Sequence, residues 1–271
     1  RQKIDANDKG VLRFAVRPIS QGEATLALVT IEDVTQQRVA DASRNAFVAQ
    51  ATHELRTPLT NIRLYVESCI EDGETDPALR AQCLNVIQQE TRRLENMVGE
   101  MLSVSEIEAG SLKITHDDVN LEQVMAEVQA DFAPQARSRD ITMTFKLPPK
   151  LPIIQGDRSK LVLALQNILG NAIKYTPAGG TVTVNVQAVD QQVTVDVIDT
   201  GFGIAPSDID KIFEKFYRAK DPRLEKITGS GLGLALAREV VRLHGGDITV
   251  HSVLNKGSTF TLTVPTLPRA A

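Results

Sequence analysis

Between residues 47 and 69 the apolar side chains Phe47, Ala51, Leu55, Leu59, Ile62, Val66 and Cys69 recur every three or four positions. That period lays them along one stripe of an α-helix, and the helical pattern reaches back to about Thr35. Asp72-Gly73-Glu74-Thr75-Asp76-Pro77 breaks it. Glycine ends a helix well, and Asp76-Pro77 supplies a cap and a first position for the next one. A second stripe of Leu79, Cys83, Val86, Leu94, Met97, Met101 and Val104 continues to about Glu108. A hairpin of two such helices has one narrow apolar face per helix and little core of its own. Pairing with a second copy would make a four-helix bundle, so burial alone predicts a homodimer.

The pattern changes on both sides of the hairpin. Residues 11–20 and 24–32 are rich in β-formers and are separated by Gln21-Gly22, which predicts two strands and a turn. Two strands bury no core, so they are expected to be the remnant of a larger domain. Beyond Ala109-Gly110-Ser111 the period alternates. Strands are predicted near 112–115, 141–146, 152–155, 182–186, 193–197, 247–252 and 258–264, with helices near 120–138, 158–175 and 231–244. The expected fold is therefore multidomain. A short β remnant at the N-terminus precedes an α-helical hairpin that forms a dimeric four-helix bundle, and an α/β sandwich follows. The expected boundaries are 1–34, 35–110 and 111–271.

Composition narrows the partners. The 271 residues carry 30 basic and 34 acidic side chains, a net charge of −4, with no basic block to attract nucleic acid. Aromatic residues make up 4 % and Trp is absent, so Leu, Ile, Val and Ala must build the cores. No apolar run approaches the roughly 20 residues that span a bilayer. The chain opens on Arg1 without an initiator Met, and it reads as an internal fragment whose membrane attachment, if any, lies in parts absent from it. Cys69 and Cys83 occupy apolar helical positions on either side of the turn and are expected to be buried free thiols, which fits a cytoplasmic location. Packed helix axes lie about 8–10 Å apart, which argues against a disulfide between them.

Chemistry concentrates in four short segments. His53 lies two residues from Ala51 and Leu55, about 200° around a helix from either, and so points away from the apolar stripe. A histidine ring is neutral and nucleophilic near pH 7, and Glu54 beside it is suited to accept the proton from one ring nitrogen while the other attacks. Thr57 lies one turn along on the same face. Pro58 removes an amide proton and is expected to bend the helix. Asn167 and Asn171 share a helix face and offer carbonyl oxygens suited to Mg²⁺ or its waters. Lys174 adds charge for phosphates, and Tyr175 a ring to lie against adenine. Asp199 is suited to accept from the adenine amino group, and Gly201 and Gly203 let the backbone approach the base. Gly229, Gly231 and Gly233 precede a helix whose N-terminal amides can cradle phosphates. No Gly-Lys-Ser/Thr follows, so this is not a Walker A loop. Residues 204–228, with Lys211, Lys215, Arg218, Lys220, Arg223 and Lys226 beside Phe213 and Phe216, are expected to form a mobile lid. His116, His244 and His251 lack such context and are read as structural or surface groups.

In this order the segments resemble the sensor histidine kinases of two-component signalling: an H box at 53–59, an N box at 167–175, glycine boxes at 199–203 and 229–233, and an F box at Phe213-x-x-Phe216. The resemblance implies a HisKA-type phosphoacceptor hairpin, a GHKL (Bergerat-type) ATP-binding domain, ATP with Mg²⁺, autophosphorylation of His53 and transfer to an aspartate of a response-regulator receiver domain. It further implies that Thr57 positions water for dephosphorylating that regulator and that Arg218 reaches the phosphates. The family places an aliphatic residue where Phe202 stands. Ile31-Glu32-Asp33-Val34-Thr35 resembles the exit of a PAS sensor domain. The competing readings are an ATP-driven clamp of the same nucleotide fold and an inactive scaffold.

Overall fold

The computed structural model describes residues 10–21, 24–71, 76–189, 191–219, 221–224, 227 and 229–266. Gly22 of the first expected turn, 72–75 of the second, and Lys220 and Lys226 lie outside the described residues. The chain divides into two compact units, 1–57 and 58–271.

In the first unit, β1 (Leu12–Gln21) and β2 (Ala24–Asp33) form an antiparallel hairpin in which Phe14 faces Ile31 and Val16 faces Val29. All four of these side chains are exposed. Helix α1 (Thr35–Glu71) starts directly after β2. Asp33 Oδ1 accepts from both the amide and the hydroxyl of Thr35, and those bonds hold its carboxyl below the usual range. The Thr35 hydroxyl oxygen also accepts from Val11 N–H, tying the hairpin to the helix start. Pro58 lies inside α1, and the helix continues through it. The division between the two units falls at this proline.

The second unit contains the rest of α1 and α2 (Pro77–Glu108). Asp76 caps α2 by accepting from the amides of Ala78 and Leu79 at 2.9 and 3.1 Å, with Pro77 in the first turn. The far end closes where Gly110 adopts φ 62° and the amides of Gly110 and Ser111 return to the carbonyls of Ile107 and Glu106. Cys83 is wholly buried with Sγ 3.9 Å from Ser68 Oγ, while Cys69 is half-buried; both are free thiols.

Beyond the hairpin come β3 (Asp117–Asn120), α3 (Leu121–Ser138), β4 (Thr142–Lys146), β5 (Ile153–Gly156), α4 (Arg158–Tyr175), β6 (Thr181–Val189), β7 (Gln192–Asp199), α5 (Gly233–Leu243), β8 (Asp247–Val253) and β9 (Gly257–Pro265). Five strands form one sheet in the order β4-β6-β7-β9-β8, with β4 parallel to β6 and every other pair antiparallel. Alternation makes the layers. Val182, Val184 and Val186 of β6 and Val193, Val195 and Val197 of β7 all point into the core. There they meet Val124, Val128 and Phe132 of α3, Leu165, Ile168 and Leu169 of α4, and Leu236, Val240 and Val241 of α5. The first strand of this region is not at 112–115, which has no regular structure, but at 117–120, where it pairs with β5. Leu112 and Ile114 alternate, but pairing requires a partner strand, and β5 lies opposite Asp117–Asn120. Among the described residues no helix is long and apolar enough to cross a membrane.

Candidate functional site

Helix α4 carries the first set of candidate residues into a cavity of about 640 Å³. Asp157 caps its start by accepting from Lys160 N–H, and the opposite face of the helix is buried through Leu161, Leu165, Ile168 and Leu169. Asn167, Asn171, Lys174 and Tyr175 are left to line the cavity. The Asn167 amide nitrogen donates to Leu163 O at 3.0 Å, which leaves its carbonyl oxygen turned toward Gly233 at the start of α5. Burial beside Arg218 lowers the Lys174 pKa to about 8, although Glu100 pulls the other way. The Lys174 ammonium lies against Gly229 and 5.6 Å from the ring of Tyr175, whose phenol burial pushes up.

Asp199 ends β7 at the floor of the cavity. Its side chain is buried, and Oδ1 accepts from the amides of Gly201 and Ser258 at 2.8 and 3.2 Å. Burial raises its pKa, and those two amides oppose the shift. Both protein bonds fall on one carboxylate oxygen, so the other is available to a ligand. Gly203 has φ 66°, and a β-carbon there would collide with the Val253 carbonyl. Phe202 pins the loop through both of its backbone groups, its N–H donating to Tyr175 O and its carbonyl accepting from Asn255 N–H.

The segment after this loop runs through turns and a short 3-10 helix at Pro222–Leu224. Phe213 packs on the core with the Arg238 guanidinium 4.5 Å above its ring. Phe216 donates its amide to Gly231 O at 2.9 Å. Gly231, at φ 71°, lies so close to the Phe216 backbone that a side chain would not fit. Glycine at 231 thus joins the lid to the glycine loop, a role its spacing alone did not reveal. Arg218 lines the cavity and donates to the Ile227 carbonyl at 2.6 Å. Of the residues expected to hold nucleotide, Gly201 alone stays off the cavity wall; Gly203, Gly229, Gly231 and Gly233 reach it.

His53, Glu54 and Thr57 belong to the first unit. His53 and Thr57 are exposed, as their helical positions predict. Glu54 is half-buried and its Oε1 accepts from Gln50 Nε2 at 3.1 Å. His244 is buried, with Nε2 accepting from Asp157 N–H at 2.9 Å and Nδ1 2.7 Å from Val240 O. Those bonds and burial, which lowers its pKa, make it a structural group.

One further group faces the cavity, and a second packs on its Phe202 wall. Glu100 of α2 reaches it and accepts from the Ser230 hydroxyl at 2.5 Å. A signal existed in the pattern, because Glu100 interrupts the apolar series Met97, Val104, Ile107 at helical spacing. Arg223 stands 5.0 Å from the Phe202 ring and donates to Asn255 Oδ1 at 2.6 Å. No sequence signal linked it to either partner.

Residues 43–110 match the His Kinase A (phospho-acceptor) domain family, and residues 156–268 match the histidine kinase-, DNA gyrase B- and HSP90-like ATPase family. Over 268 residues the chain is 34 % identical to the sensor histidine kinase WalK of Bacillus subtilis, an alignment that covers 97 % of this chain. The chain belongs to the sensor histidine kinases. It spans 44 % of the length of that WalK. Among solved structures, full-length ShkA in complex with AMPPNP shares 28 % identity at a TM-score of 0.62, covering 83 % of this chain and 47 % of ShkA. The histidine kinase ThkA, in complex with the response regulator protein TrrA, has the same fold at a TM-score of 0.65 and 24 % identity, covering 96 % of this chain and 76 % of that one. The paired match, phosphoacceptor hairpin and ATPase in one histidine kinase chain, is what an ATP-driven clamp lacks.

Proposed function

We propose that this sensor histidine kinase binds ATP in the cavity between α4, the 199–203 loop and the start of α5, and transfers the γ-phosphoryl group to His53. The observation that carries the proposal is the convergence of Asn167, Asn171, Lys174, Asp199 and the 229–233 glycines on one cavity. These residues come from segments far apart in the chain, and each is of the type that one part of ATP requires. The free oxygen of Asp199 takes the adenine amino group. Guanine has no donor there, so the site selects ATP. Lys174, the glycine loop and the amides opening α5 take the phosphates.

The donor set suits Mg²⁺. The Asn167 amide nitrogen is already bonded to a carbonyl, so its oxygen is left as a hard ligand, and Asn171 stands one turn on. Asn167 and Asn171 would hold the ion with triphosphate oxygens, and its charge would neutralise the leaving phosphates. A ring nitrogen of His53 attacks phosphorus, the bond to ADP breaks, and Glu54 takes the proton from the other nitrogen. Catalysis here is chiefly positioning and electrostatic neutralisation.

The phosphoryl group then passes to an aspartate of a response-regulator receiver domain, the class of partner seen with ThkA. Thr57, one turn from His53, serves dephosphorylation of that partner. The apolar side chains that α1 and α2 leave exposed, Leu59, Ile70 and Leu102 among them, pair with a second copy, and the apolar face of the β1–β2 hairpin closes against the remainder of a PAS-like domain. This part of the protein acts in the cytoplasm, where its regulator is.

Incubation with Mg²⁺ and γ-labelled ATP tests the reading. Acid-labile, alkali-stable label that is absent from His53→Ala and Asn171→Ala supports it. ATP turnover without label on His53 would favour a clamp, and no ATP binding at all a scaffold.

A further inference from the structure

The cavity already holds a carboxyl group of the protein's own, and it belongs to helix α2. Glu100 lies three residues after Met97 and four before Val104, both buried, on the side of α2 that faces the α/β unit. One of its oxygens accepts from the Ser230 hydroxyl at 2.5 Å. The Ser230 oxygen in turn accepts from Leu232 N–H at 3.2 Å, at the start of α5. A short chain of hydrogen bonds thus runs from the helix N-terminus to a carboxylate, as it would to a phosphate. Lys174 completes the arrangement: its ammonium lies against Gly229 and interacts electrostatically with Glu100. Burial raises the Glu100 pKa, while the Ser230 bond and Lys174 oppose the rise.

The groups assigned above to the triphosphate are therefore the ones that hold Glu100. We propose that Glu100 is a built-in competitor for the phosphates of ATP, so that nucleotide binding expels it and detaches the glycine loop from α2. The inference rests on the nucleotide reading of the cavity. Lys174 and Arg218 both line the cavity, but only Lys174 is engaged electrostatically with Glu100, and a triphosphate placed on the same lysine and Ser230 loop would meet the carboxylate with strong repulsion. Glu100 is carried by the helical hairpin and the phosphates by the ligand, so their exclusion links cavity occupancy to the contact between α2 and the glycine loop. Linkage is reciprocal. The factor by which docked Glu100 weakens ATP binding equals the factor by which ATP weakens the docking. Adenosine fills the base end without phosphates and leaves the contact intact, so the triphosphate is what the device detects.

The test is the affinity of ATP and of adenosine for the whole chain and for Glu100→Gln, by calorimetry, with Mg²⁺ and with a chelator. The expected result is ATP binding roughly tenfold tighter in the variant, within the ~5–150-fold usual for coupled sites. The gain should appear with and without Mg²⁺, and adenosine affinity should not change. ATP affinity unchanged by the substitution overturns the proposal. So does a loss confined to Mg²⁺ conditions, which would make Glu100 a metal ligand. Should glutamine at 100 disturb packing, seen as lost adenosine binding, Glu100→Ala supplies the same comparison. A wild-type chain that binds neither compound overturns the nucleotide reading, and this proposal with it. A sound adenosine site with no effect of Glu100 overturns this proposal alone.

Discussion

The helical hairpin and the α/β unit use the same aliphatic side chains to different ends. In the α/β unit Ile168, Val182, Val193 and Val240 are wholly buried between one sheet and three helices. In the hairpin Leu59 is 55 %, Leu102 61 % and Ile70 71 % exposed, although they stand in equally regular helices. A sheet face and the helices that cross it close a core within one chain. Two helices cannot, because each keeps part of its stripe outside their mutual contact. The difference separates a region whose apolar faces close within one chain from one that leaves apolar side chains exposed, which is what the proposed dimer would cover. The candidate chemistry divides in nearly the same way: apart from Glu100 of α2 the cavity is lined by the α/β region, and the exposed histidine stands on the helical element.

The largest expected effect is on chemistry. His53→Ala should abolish acid-labile phosphorylation while leaving ATP affinity within twofold in calorimetry, since the cavity belongs to the other unit. Next comes the core. Ile168→Ala should cost about 2–5 kcal/mol in denaturant unfolding, independent of protein concentration. Leu102→Ala should instead cost about 1–2 kcal/mol per protomer, seen in analytical ultracentrifugation as a weaker dimer. Equal, concentration-independent losses at both positions would break the comparison.

Within the cavity, Asp199→Asn should weaken ATP by about 1–1.5 kcal/mol and erase discrimination against GTP, measured by competition binding. A pH effect follows from Lys174, whose pKa is lowered from 10.5 to about 8. Between those values the unfolded chain holds a proton that the folded one has released, so stability rises with pH across that window. Phosphate favours the charged lysine, so ATP affinity should fall several-fold over the same window, with proton uptake visible in buffers of different ionisation enthalpy. Lys174→Met should flatten both slopes. The smallest effect concerns Arg223 on the Phe202 ring. Arg223→Ala should speed nucleotide release by a few-fold, about 0.5–1 kcal/mol, in stopped-flow displacement.

Much of this was legible before any coordinates, wherever a residue's situation depends on its near neighbours. Helical spacing settled that His53 is exposed and that Met97 and Val104 are buried, because the turn of a helix is a local property. Asp76-Pro77 announced the start of α2, and the valine alternation announced β6 and β7, for the same reason. Period alone misplaced the first strand of the α/β unit, since a strand forms where a partner lies, and β5 lies opposite 117–120. The motif order marked the cavity residues but not the contacts that set them. Ser258 N–H reaches Asp199 across two paired strands, and Arg223 reaches Asn255 over 32 positions. Ser230 meets Glu100 over 130. Local geometry alone, written in the residue order, was enough for nearly all the elements, the faces they bury and the kinds of chemistry they present. That a carboxylate from α2 enters the cavity and bonds Ser230 emerges with the folded chain alone, because that contact exists only once distant parts of the chain have been brought together.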